Sequence, residues 1–217
     1  MKKTIFLIAA TLMYAISQAQ EAYIQQMQQQ VAKLDKAATV KDYEQLANDF
    51  NHIADAQKTQ WLPYYYAALS NAKIGWLYKD DGDRIEPYAD KAEEQIKMAQ
   101  SLLDTSKQKK ELSEVYCVQS MLNQARVFIN PPSYGPQYGP TANTYMHLAE
   151  NANPDNPRVL YLEGWQKFAT PKIWGGNKTK AKELLTAAKQ KLDNDQSSGP
   201  EPHWGKKEVE EILKQLK

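Results

Sequence analysis

Apolar positions recur along this chain at spacings of three and four, the signature of helices with one buried face. From residue 21 to 36, a Gln-rich stretch places Tyr23, Met27, Val31 and Leu34 on one stripe. Thr39, with Asp42 three residues on, reads as the capping box of a helix carrying Leu46, Phe50 and Ile53. A third helix begins near Pro63 and runs to Leu77, and Pro87 opens a fourth with Ala92, Ile96 and Ala99. Leu112 to Phe128 makes a fifth. Asn130 to Pro140 is so dense in Pro, Gly and Tyr that a loop is expected, after which Thr141 caps a helix with Ala142, Met146 and Ala149. Pro154 ends that helix. Punctuation is clearest from Asn153 to Leu192. Asn156 is an N-cap before Pro157, and Val159, Leu160, Leu162, Gly164, Trp165 and Phe168 follow. Pro171 and Gly175-Gly176 break the helix, and Asn177 caps another with Ala181, Leu184, Leu185 and Ala188. Asp193 to Pro202 reads as a polar linker. Lys206 to Lys217 closes the chain with Val209, Ile212, Leu213 and Leu216 on one face.

Three of these helices share one pattern: Ala92/Ile96/Ala99, Ala142/Met146/Ala149 and Ala181/Leu185/Ala188, small–large–small at spacings of four and three. Small residues let two helices approach, and the large one fills the hole between them. This pattern resembles the second helix of the tetratricopeptide repeat. Pro154, five after Ala149, and Gly164, fifteen after it, stand where that family has its proline and the small residue of its next first helix. Ala68 stands fifteen after Ile53 in the same way. The repeats are degenerate. The family unit is about thirty-four residues, whereas Ala92 to Ala142 spans fifty and Ala142 to Ala181 thirty-nine. Asn153-Pro154-Asp155-Asn156-Pro157-Arg158, Pro171, Trp174-Gly175-Gly176-Asn177-Lys178 and Pro202-His203-Trp204-Gly205 make the chain similar to exported tetratricopeptide-like proteins of Gram-negative bacteria. The resemblance implies an all-α fold: a right-handed array of antiparallel helical hairpins, a TPR-like α-solenoid, with a C-terminal capping helix. It implies no particular activity.

Composition adds a compartment and removes a partner class. Lys2 and Lys3 precede a short apolar run, Ile5 to Met13, and Ser17-Gln18-Ala19 supplies the small residues of a cleavage site. Residues 1–19 thus read as a secretory signal peptide cut after Ala19, and residues 20–217 as one helical repeat domain, periplasmic or secreted. The run is too short for a comfortable membrane span, and no later segment is long enough for one. Lys+Arg number 27 against 26 Asp+Glu, a net charge of +1 with no basic excess for nucleic acid. Cys117, the one cysteine, reads as a small buried residue beside Val115 and Val118.

The chemistry-bearing residues are dispersed. His52, His147 and His203 lie far apart without metal-ligand spacing. Asp80-Asp81-Gly82-Asp83 lacks the register of a calcium loop. Gly175-Gly176-Asn177-Lys178-Thr179 reads as a turn and N-cap rather than a phosphate cradle. No catalytic, metal or cofactor site is expected, and the chain reads as non-enzymatic.

The aromatics are the candidate contact groups. In the repeat family the first helices line a concave groove. Aligning Ala68, Ser120 and Gly164 puts Tyr65, Lys73, Met121, Tyr161, Trp165 and Phe168 there, although for Tyr161 and Phe168 a place in the core is the favoured reading. Trp174 and Trp204, each followed by Gly, read as capping the core edge, and Tyr134 and Tyr138 as more exposed. The candidate binding residues are Tyr65, Lys73, Arg126, Tyr134, Tyr138, Tyr161 and Trp165. The expected function is binding of a protein or peptide in the cell envelope, the alternative being a small solute, a sugar or a hydrophobic ligand. N-terminal sequencing of the exported protein is expected to begin at Gln20; an earlier start refutes the proposed cut.

Overall fold

The structure is a computed structural model that describes residue 18 and residues 20–216, so the expected cut after Ala19 lies outside the described residues. Those residues form nine α-helices and no strand, the all-α class expected. They are α1 (20–34), α2 (Val40–Ala56), α3 (Trp61–Leu77), α4 (Glu86–Ser101), α5 (Lys109–Val127), α6 (Pro131–Ala152), α7 (Pro157–Ala169), α8 (Lys178–Asp193) and α9 (Lys206–Gln215). Among them no helix is long and apolar enough to cross a membrane.

Local signals set most boundaries. The Thr39 hydroxyl accepts from the Asp42 amide while the Asp42 carboxylate accepts from the Thr39 amide, a complete capping box at α2. Asn156 and Asn177 cap α7 and α8 through their side-chain oxygens. Between them, Gly175 takes φ 93, a left-handed conformation that favours glycine.

Packing then follows chain order. The pairs α2/α3, α3/α4, α5/α6 and α7/α8 make the main contacts, and α3, α5 and α7 also touch in series as an inner row. Helices α3 and α5 are buried nearly all round. All nine residues of the three small–large–small triplets are buried. Their fit is tight: the Ser120 and Ser113 hydroxyls of α5 donate to the Ala142 and Ala149 carbonyls of α6, at 2.9 and 2.8 Å. At Gly164 an added Cβ would meet Leu185 Cγ at 2.8 Å, so only glycine lets α7 lie this close to α8.

Three expectations are corrected. Residues 130–140 are not a loop: Asn130 caps α6, and Pro131 and Pro132 fill a first turn whose amides need no helical partner. Pro136 and Pro140 lie inside the helix, where each removes a backbone bond. Spaced four apart with Pro132, they fall on one exposed stripe. The opposite side carries half-buried Tyr134 and Tyr138, and Arg126 of α5 lies 5.4 Å from the Tyr138 ring. Packing on α5 therefore outweighs the low propensity. Thr141 consequently sits in mid-helix, its hydroxyl donating back to the Gln137 carbonyl at 3.2 Å. Trp174 does not cap the core edge either; it is 63% exposed, whereas Trp204 is buried.

The third correction concerns the polar linker, which is strapped down. Glu114 of α5 is buried, and its carboxylate accepts from Tyr65 Oη at 2.9 Å, Asn156 Nδ2 at 2.9 Å and Arg158 at 3.2 Å. Arg158 also donates to Asp195 at 3.2 Å and to the Pro202 carbonyl at 2.5 Å. Tyr66 donates to the Pro200 carbonyl at 2.9 Å, and Trp204 Nε1 to Tyr65 Oη at 2.7 Å. One buried charge cluster thus joins α3, α5, α7 and residues 195–204. The substitution Arg158→Ala leaves Glu114 buried without its cation and is expected to cost roughly 3–5 kcal/mol in chemical denaturation. A Glu114→Leu/Arg158→Met double variant recovers most of that loss, because it removes both charges together.

Candidate functional site

Beyond the strap, α9 packs on α8 and its side chains reach α3. Glu208 of α9 pairs with Lys73 of α3, and the buried Trp204 packs edge-on to Tyr161 with centroids 5.9 Å apart. His203, just before α9, reaches Asp35 at the end of α1. A cleft of about 750 Å³ remains, walled by Tyr43 of α2, Trp76 and Leu77 of α3, Tyr161 and Trp165 of α7, and the face of α9. That volume suits an organic ligand.

Its wall is aromatic and partly open. Trp76 and Trp165 stack with centroids 3.9 Å apart at 18°, and Phe128 meets Trp165 edge-on at 5.8 Å. A hydrogen bond of 2.9 Å from Trp76 Nε1 to the Met121 carbonyl fixes the ring. Both indoles are half-buried, and Leu77 beside them is 46% exposed. Lysines stand around the opening: Lys79, Lys206 and Lys207. Lys79 pairs with Asp80 and Lys206 with Asp193 at 2.8 Å, while Lys207 has no carboxylate within ion-pair distance among the described residues.

Acid–base groups in the cleft are committed. Burial, reinforced by Glu208, pushes the Tyr161 phenol well above 10. Burial and Glu208 likewise raise Tyr43. His203, the imidazole of the cleft, has Nδ1 2.8 Å from the Glu201 carbonyl and Nε2 3.2 Å from Asp35. Among the described residues no group of His, Cys, Asp or Glu side chains could hold a metal ion. Cys117 is buried, and burial raises its thiol far above the ordinary range.

The candidate residues from the sequence fall into three places. Lys73, Tyr161 and Trp165 line the cleft. Tyr65 is fully buried, its hydroxyl spent on Glu114 and Trp204. Arg126, Tyr134 and Tyr138 lie elsewhere, where Arg126 binds Asp90 at 2.8 Å and Glu93 at 2.7 Å between α4, α5 and α6. Trp76 was legible in principle, standing three residues after Lys73 on one helix. The α9 wall was not, because Glu208 meets Lys73 across 135 residues of chain.

No family model matches the chain, and no curated protein matches it. Among solved structures it is similar to the HusA haemophore from Porphyromonas gingivalis, at 30% sequence identity and a TM-score of 0.76, over 90% of this chain and 92% of that one. The chain belongs to the family of that haemophore.

The latch on α9 makes a pH prediction. Burial works to raise Glu208, but the Lys73 ammonium outweighs it and holds the carboxyl below the ordinary 4.5. A depressed carboxylate stabilises the fold fully above its unfolded pKa and loses that contribution as pH falls through the folded value. Glu208→Gln is therefore expected to speed amide exchange in α9 at pH 7. The gap from wild type narrows as the pH drops below 4.5, as read by hydrogen exchange.

Proposed function

We propose that this protein is an exported haem carrier that holds the porphyrin in the α3–α7–α9 cleft, against the Trp76–Trp165 pair. The observation that carries the reading is that stack: two partly open indoles in a cleft of ligand size, in a chain 30% identical to a haemophore over nearly its whole length. A planar macrocycle gains both apolar burial and ring–ring contact on such a wall. Its two carboxylates find cations at the rim in Lys79 and in Lys207, which has no carboxylate within ion-pair distance among the described residues. The signal-like N-terminus supports an envelope or extracellular location. We take the hairpin array as TPR-like, on the strength of its three buried triplets.

Tyr161 resists becoming a phenolate ligand, and His203 sits between the Glu201 carbonyl and Asp35. Affinity in this reading comes from the ring and its carboxylates. A peptide lying along α3 and α7 fits less well, since it would have to displace Trp204 and break the Lys73–Glu208 pair.

Absorbance and tryptophan-emission titrations test the proposal. Haemin is expected to bind saturably at one equivalent, and metal-free protoporphyrin with comparable affinity. Trp165→Ala and Trp76→Ala each weaken binding about tenfold, a loss of ~1.4 kcal/mol. Absence of saturable haemin binding, or tryptophan variants that bind like wild type, overturns it.

A further inference from the structure

One turn beyond Trp165, the chain leaves α7 and puts out a tip that the cleft does not use. Pro171 leads into a single 3₁₀ turn, Lys172–Trp174, which Gly175 and Gly176 close. Ile173 is 84% exposed and Trp174 63%, the two most exposed large apolar side chains among the described residues. Both ends of the turn are pinned. The Gly176 amide donates to the Pro171 carbonyl at 3.1 Å, and an added Cβ at Gly176 would lie 1.7 Å from the Thr170 carbonyl oxygen. The Asn177 amide donates to the Lys167 carbonyl at 2.9 Å. The turn therefore holds the two side chains outward, largely open to solvent.

The surrounding charge is mainly positive. Lys167 points at the turn, its ammonium 3.5 Å from the Gly175 carbonyl. Lys178 lies over the Phe168 ring at 3.6 Å and donates to the Phe168 carbonyl at 2.7 Å. Lys172 belongs to the turn, and Lys182 follows Lys178 one helical turn along α8. None of these four lysines has a carboxylate within ion-pair distance among the described residues; nearby Glu183 is taken by Lys180 at 2.8 Å.

We infer that the Ile173–Trp174 tip docks the protein on an anionic lipid surface. Tryptophan settles at the level of lipid headgroups, with an aliphatic neighbour reaching below it. Unpaired lysines beside such an anchor gain from a negative membrane potential. The kind of cation decides against a protein partner: the patch is all lysine and holds no arginine, and lysine is depleted from protein interfaces where tryptophan and arginine are enriched.

Vesicle co-sedimentation of the ligand-free protein tests the tip without reference to haem, so its failure and that of the haem reading are separate results. The mature protein is expected to pellet with phosphatidylglycerol-containing vesicles. Binding falls about tenfold or more with pure phosphatidylcholine vesicles or at high salt. Ile173→Ser/Trp174→Ser and Lys172→Glu/Lys182→Glu are each expected to lose binding by a similar factor. Circular dichroism melts like those of wild type show that these exposed positions leave the fold intact. Wild type that ignores anionic vesicles, or either double variant that binds as wild type does, overturns the inference. So does a tip that captures a protein while ignoring lipid.

Discussion

A buried ion pair governs the rest of this structure. Glu114 and Arg158 sit in the interior, where a charge that loses its partner is strongly destabilising. Their partners come from α3 for Tyr65, from α7 and its N-cap for Arg158 and Asn156, and from the segment 195–202 for Asp195 and the Pro202 carbonyl. Meeting this electrostatic demand fixes the relative placement of three inner helices and ties down a stretch that would otherwise be free. Apolar burial alone is not directional enough to do that. This buried polar cluster thus sets the register of the C-terminal segment.

The cleft is a consequence of that register. With residues 195–204 held against α3 and α7, α9 packs on α8 and its Glu208 meets Lys73 of α3. Val209 and Ile212 enter the core, and the charged side of α9 becomes one wall of the cleft. The opposite wall is supplied by Trp76 and Trp165, stacked on each other because α3 and α7 both face inward. What began as the concave side of a hairpin array becomes a walled, aromatic cleft.

Close approach of helices has a complementary physical basis. Alanine, serine and glycine at the crossings bring α4, α6 and α8 down onto their partners, and the buried Ile96, Met146 and Leu185 occupy the remaining space. Helix α6 shows how far this packing can go. It accommodates two internal prolines because each faces solvent, while the aromatic side of the same segment binds α5. The 3₁₀ tip before α8 is the reverse case, in which rigid backbone geometry holds two apolar side chains away from any core.

Local physics made much of this legible in the sequence. Caps at Thr39, Asn156 and Asn177, the alanine triplets and the periodicity of the apolar faces depend on residues within one or two turns of each other, and they specified the helices and their hairpin pairing. Of the candidate site, Lys73, Tyr161 and Trp165 could be placed together because they share the inward face of the first helices. Residues 130–140 were misread, since their own propensities favour a loop and only contact with α5 reverses the balance. Tyr65 was misplaced because its neighbours Glu114 and Trp204 lie 49 and 139 residues away. The same reason hid the cleft. Its closing wall depends on a salt bridge and a buried charge cluster between segments that no local pattern relates, so the sequence determined the helices and the tertiary structure alone decided what they enclose.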